Sequence, residues 1–213
     1  MATSPNHPMD AGQATSIHCR KAACGDRESI AWLVARLEPL LLAHATWRMG
    51  PDLRRTQDPS DIVHEAWLVL LPRLATLPVR DGRLTPVLLS YLTTTVLHKV
   101  RNLLRREIRR TAHLPTPSQL DGDPSTALVG DRSEVIGAVM RGEAIDLVRA
   151  ALDELPDADR QIVLLRGIEQ QAPEIVANQL GITRGAVSKR YRRALERLRS
   201  RLPGSVFGEL QEE

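Results

Sequence analysis

The chain has 213 residues, 42% of them hydrophobic but only 3% aromatic, so it can bury one or two cores and those cores must be aliphatic. It carries 29 Lys and Arg against 26 Asp and Glu, a formal net charge of +3, which permits a nucleic-acid partner without demanding one. Two cysteines rule out a disulfide framework, and no apolar run is long enough to span a bilayer.

Residues 1–22 read as a flexible arm. Their opening, MATSPNHPMDAGQATS, is polar and lacks the apolar core of a secretory signal. Cys19 and Cys24 lie near His18, but the further ligands of a zinc site are missing at the right spacing, so no metal is expected. Reduced cysteines fit the cytoplasm.

Residues 23–110 form a first helical module, because apolar residues recur at helical spacing and never build alternating runs. Within it, DPSDIVHEAWLVLL is the most informative stretch. Asp58 suits a helix cap, Pro59 the first helical position, and Asp61 the positive first turn. Val63, Trp67, Leu70 and Leu74 make one apolar stripe; Ile62, Ala66 and Val69 make a second. The helix should therefore be sandwiched, and Pro72 should kink or end it. Asp61, Glu65 and Leu68 are left on a third face, where periodicity alone reads the two acids as solvated. Further on, Leu92, Val96, Val100 and Leu103 form the core stripe of another helix. Thr94, His98, Arg101, Asn102 and Arg105 line its opposite side, which is polar, basic and free of aromatics.

Residues 111–140 are a flexible linker by composition, opening with TAHLPTPSQLDGDPSTALVGDRS. Helical periodicity returns from about Glu134, and 141–203 form a second module. Ile145, Val148, Ala151, Leu152 and Leu155 share one face. After Pro156, Asp157 or Asp159 can cap a helix that packs Ile162, Val163 and Leu165 inward. Pro173 then opens a helix with Ile175, Val176 and Leu180 as its buried stripe. Gly181 suits the left-handed closing position, and Thr183 caps the next helix. Helix, tight glycine turn, helix is the helix-turn-helix pattern.

From Arg184 to Arg201 the last helix carries eight basic residues and one acid, Glu196. Val187, Tyr191, Ala194, Leu195 and Leu198 recur at spacings of three and four and face inward. Thr183, Arg184, Gly185, Ser188, Lys189 and Arg192 crowd the N-terminal half of the outward side, the half that enters a major groove. Arginine there can pair bidentately with guanine, and Ser or Lys can reach base edges or phosphates. Arg190 and Arg193 suit the DNA backbone. Arg197, Arg199 and Arg201 are either further contacts or a solvated face. Residues 204–213 are a short acidic tail.

Several of these stretches resemble a known family. LDELPDADRQIVLLRGIEQQAPEIVANQLGITRGAVSKRYRRALERLRSRL is similar to region 4 of bacterial sigma factors of the sigma-70 family. The shared features run from L-x-x-L-P to the final R-A-L-E-R-L-R. Ala172 stands where the family usually has a small polar cap. Asp61-Ile62-Val63-His64-Glu65-Ala66-Trp67 resembles region 2.2, roughly D-L-V-Q-E-x-F, with His64 in place of Gln. GDRESIAWLVARLEPLLLAHATWRM resembles region 2.1. LLSYLTTTVLHKVRNLLRRE resembles regions 2.3 and 2.4 through Tyr91, Leu92, Leu104, Arg105 and Arg106. Asn102 replaces the family's Asp there, and Leu97-His98 replace Arg-Asn.

The resemblance covers 25–110 and 140–202, with no region 1.1 or region 3 domain, the form of the extracytoplasmic-function (ECF) group. It implies an all-α protein: a region 2 bundle and a region 4 helix-turn-helix joined by a flexible linker. It implies that Asp61, His64, Glu65 and Leu68 dock on the beta-prime clamp helices of RNA polymerase core. Thr94, His98, Arg101, Asn102, Arg105 and Arg106 would meet the −10 element and a flipped-out base, and the last helix the −35 element. Promoter DNA and polymerase core are the implied partners, and an anti-sigma factor is common in the family. No nucleophile–base pair, phosphate-cradling loop or metal set stands out, so neither catalysis nor a cofactor is expected.

Overall fold

The computed structural model describes residues 11–78, 84–111 and 134–210. Among them the chain is all-α, with no strand. The interior of the linker, 112–133, lies outside the described residues.

Helix α1 is Ala11–Ala23. The arm expected over 1–22 is therefore helix from Ala11 onward. Thr15, Ser16, Cys19 and Ala22 form its buried face. That face consists of small side chains and two hydroxyls, so hydropathy gave no sign of it. Helix α2, Arg27–Leu53, buries Leu33, Leu37, Leu40, Leu41 and Ala45 and is the hub on which α1 and the later helices pack. Helix α3, Pro59–Leu70, starts as expected, with the Ser60 N–H donating to Asp58 Oδ1 at 2.9 Å. It buries Ile62, Val63, Ala66, Trp67 and Leu70 between α2 and α4. At Pro72 the chain tightens into a 3-10 turn, Leu71–Thr76. Helix α4, Thr85–Thr111, buries Leu88, Leu89, Leu92, Val96 and Val100.

In the second half, α5 is Glu134–Asp153 and α6 is Asp157–Ile162. Neither Asp157 nor Asp159 caps α6. The cap position is Pro156, which has no side-chain acceptor; Asp157 pairs with Arg160, and Asp159 accepts from Arg190 Nε at 2.6 Å. The chain then widens into a π-helical segment, Val163–Ile168, that is almost wholly buried. Gly167 sits where a Cβ would lie 3.0 Å from Tyr191 Oη and 3.2 Å from Leu210 Cδ1. Gly167→Val is expected to destabilise the fold by about 1–3 kcal/mol, because a packed wall must shift to admit the side chain. A denaturant midpoint no lower than wild type would contradict this packing.

Two buried carboxylates join the halves, where sequence reasoning left only a tether. Helix α2 packs along α5. Below that contact, Glu169 is held by His44 Nε2 at 2.8 Å, Arg48 Nε at 2.7 Å and Gln171 Nε2 at 2.7 Å. His44 is fully buried, and its Nδ1 has no partner. Protonating Nδ1 would bury a donor with no acceptor, so the imidazole is neutral and donates from Nε2. Burial lowers the His44 pKa below the usual histidine value, outweighing the pull of Glu169. Burial also pushes Glu169 upward, but hydrogen bonds from His44 and Arg48 win and hold it below the usual carboxylate range.

The second carboxylate belongs to Glu209, in a segment read as a loose tail. Val206–Glu209 is a 3-10 turn, and Phe207 is completely buried. Arg199 Nε donates to the Phe207 carbonyl at 3.1 Å, and Arg199 Nη2 to that of Leu210 at 2.7 Å. Glu209 accepts from Arg36 Nε at 2.7 Å, Thr15 Oγ1 at 2.9 Å and Thr85 Oγ1 at 2.5 Å. Burial, with the Glu209 charge, pushes the neighbouring Cys19 thiol up to about 12, so it stays protonated.

Candidate nucleic-acid interface

Helix α7, Pro173–Leu180, and helix α8, Arg184–Arg201, make the turn-linked pair. Ala172 supplies no side-chain cap for α7. Gly181 closes that helix at φ 65°, a conformation a Cβ would strain. Thr183 Oγ1 accepts the Ala186 N–H at 3.2 Å and starts α8. The stripe Val187, Tyr191, Ala194, Leu195 and Leu198 is buried as its spacing requires.

The outward residues divide into those already engaged and those available. Lys189, Arg192 and Arg193 are exposed and form no ion pair with the described residues. Thr183, Arg184 and Gly185 are exposed at the helix start, and Ser188 is half-buried. Arg184 pairs with Glu174 of α7 at 3.1 Å, a contact open to solvent and cheaply exchanged for phosphate. Arg190 leans back on Asp159, bracing α8 against α6. Arg201 pairs with Glu154, and Arg199 holds the C-terminal turn. Three of the eight basic residues thus do internal work that charge counting could not distinguish from DNA contact.

On α4, Thr94, His98, Arg101, Asn102, Arg105 and Arg106 are all exposed along one flank. Thr94 and His98 border a cavity of about 510 Å³ whose other walls include Arg73, Leu77, Tyr91 and Thr95. Arg73 Nη1 donates to Tyr91 Oη at 2.7 Å. The flank is therefore not free of aromatics at this end, since Tyr91 turns beside it. Sequence reasoning missed Arg73 because it sits in a 3-10 turn outside any periodic stretch; an arginine that reaches an aromatic from another element leaves no local spacing to read.

On α3, Asp61, His64 and Glu65 are exposed and Leu68 is half-buried, so the four share one outward face. Glu65 pairs with Lys99 of α4. The described residues contain no cluster of His, Cys, Asp or Glu suited to a metal ion. No helix among them is long and apolar enough to cross a membrane.

Residues 151–200, from the end of α5 through α8, match the family model for sigma-70 region 4. The chain is 26% identical over 199 residues to the ECF RNA polymerase sigma factor SigD of Mycobacterium tuberculosis, covering 93% of this chain and 88% of the relative. The SigD of Mycobacterium bovis matches to the same extent. Among solved structures, CnrH in complex with the cytosolic domain of CnrY aligns at 22% identity and TM-score 0.38, over 88% of this chain and 96% of that one. With a basic helix-turn-helix where the sigma-70 region 4 model matches and a relative aligned over nearly the whole length, the chain is similar to sigma factors of transcription initiation in the ECF group of the sigma-70 family.

Proposed function

We propose that this chain is a sigma factor that binds the RNA polymerase core through the outward face of α3 and directs it to promoters with both −10 and −35 elements. The observation that carries this reading is the state of α8. Its apolar stripe is buried, while Lys189, Arg192 and Arg193 stay exposed without internal partners. Such a face suits the −35 major groove. The polar flank of α4 takes the −10 element, and the cavity beside Thr94 and His98 has the size to hold one unstacked base. Asp61, His64, Glu65 and Leu68 meet the beta-prime clamp helices. The chain works in the cytoplasm, where polymerase and promoters are, and an anti-sigma factor is a natural partner for an ECF protein.

Run-off transcription with purified core polymerase, with and without the chain, tests this function. Promoter-specific transcripts should appear only with the chain; their absence would reject the reading. Asp61→Ala with Glu65→Ala should lower core affinity roughly tenfold, about 1.4 kcal/mol. Both side chains are exposed and the Glu65–Lys99 pair is a surface one, so stability should barely change. Undiminished co-elution of this variant with core would remove α3 from the contact.

A further inference from the structure

The DNA-facing surfaces of α4 and α8 are both open in this structure, yet the halves that carry them are packed together. Elements about 25 base pairs apart lie roughly 85 Å from each other along a duplex. A packed chain of this size has a radius of gyration of about 17 Å and so a diameter of only about 40–45 Å. The closed arrangement cannot bridge both elements. The roughly 22 residues between Thr111 and Glu134 can span at most about 75 Å when fully drawn out. With the widths of the modules added, that length suffices once they part.

We infer that Glu169 and Glu209 form a two-point clasp that holds the second module on the first and must be withdrawn before both promoter elements are engaged. The promoter half of this inference rests on the proposed function; the clasp itself does not. Both carboxylates belong to the second module, and the donors that receive them across the boundary belong to the first. Glu209 enters a socket made by Thr15 of α1, Arg36 of α2 and Thr85 of α4. Arg36 also donates to the carbonyl of Gly204 at 2.6 Å and lies over the Trp32 ring at 5.2 Å, so one guanidinium gathers the C-terminal turn onto α2. Glu169 enters a second socket, made by His44 and Arg48, with Arg48 over the Trp47 ring at 4.5 Å. Each carboxylate is buried only while docked, and each socket can rehydrate once it leaves. The two carboxylates flank the apolar seam of α2 on α5, so they fix its geometry, and their withdrawal leaves unpaired donors that weaken it. The clasp leaves the α3 face uncovered, so polymerase can bind the closed chain first and DNA can select the opened one.

The test compares wild type with Glu169→Ala plus Glu209→Ala by small-angle scattering of the full chain, beside circular dichroism. Wild type should give a radius of gyration near 17 Å. The double variant should keep its helicity and swell by several ångströms. A wild type already extended, or a folded variant as compact as wild type, would overturn the clasp. Should the double variant fail to fold, Thr15→Val with Thr85→Val removes two donors to Glu209 without changing charge, and unchanged sensitivity of its compactness to mild denaturant would overturn the Glu209 point. In run-off transcription with the chain limiting, the opened variant should give two- to tenfold more transcript from a two-element promoter. Equal output from a variant that has swollen would overturn the link to promoter engagement. Scattering uses no polymerase, so the clasp and the proposed function fail separately.

Discussion

Lys189→Ala combined with Arg192→Ala should lower transcription from the chain's own promoter by about 10- to 100-fold, while leaving thermal stability near wild type. An arginine that reads guanine bidentately contributes about 1–3 kcal/mol, and a lysine on phosphate adds affinity that fades with salt. Both side chains project from α8 beside a fully buried stripe, so their removal opens no cavity. The salt dependence of promoter binding should flatten as well, because fewer counterions are released. Arg190→Ala supplies the contrast. Its guanidinium is spent on Asp159, so its loss should appear as looser packing of α8 on α6 before any loss of sequence preference. Normal promoter output from the double variant, or equal damage from Arg190→Ala without loss of stability, would mean that α8 faces DNA with a different side.

The sequence was most legible where a stripe of large apolar residues set the register of a helix. Val187, Tyr191, Ala194, Leu195 and Leu198 announce both the inward face of α8 and, by elimination, its outward one. The caps at Asp58 and Thr183 and the glycine turn at Gly181 were legible for a related reason, since each is a local rule with a short reach. What could not be read depends on residues far apart in the chain. Glu209 looks like one acid of a polar tail until Thr15, Arg36 and Thr85 are brought around it. His44 looks like an ordinary polar interruption on α2 until Glu169 arrives from 125 residues away. The same limit applies at the candidate site: spacing identified Thr94 and His98 as neighbours, but not the Arg73–Tyr91 pair that closes the cavity beside them. Local physics specifies the helices and their faces, including the α5 stripe that packs on α2, whereas the two polar sockets beside that seam are isolated residues with no periodic signature.

The joint between the modules should respond to pH in a definite direction. The groups facing His44 are Glu169 and Arg48, and Gln171 donates to the same carboxylate. In the docked state His44 has a pKa below its ordinary value, so the undocked or unfolded state binds the proton first as pH falls. Docking is therefore strongest above about pH 6.5, where histidine is neutral in either state, and weakens as pH falls through that value. Glu169 acts in the same sense at lower pH, since its pKa is also depressed when docked and protonation below about 4.5 removes its contribution. Between pH 5.5 and pH 7.5 only the His44 shift acts, and it alone should make the modules part more readily at the lower value. The radius of gyration in mild denaturant would show this as earlier swelling at the lower pH. His44→Gln should remove most of the change between those two values, because an amide can donate to Glu169 without titrating. Glu169→Ala should keep or enlarge it, because Glu169 pulls the His44 pKa up and burial then acts unopposed; that variant also costs stability. With a buried imidazole donor left unpaired and the Arg48 charge uncompensated, the loss of stability should be on the order of 3 kcal/mol. Tighter packing at pH 5.5 than at pH 7.5 would require a charged His44 in the docked state, which its orphaned Nδ1 leaves no acceptor to support.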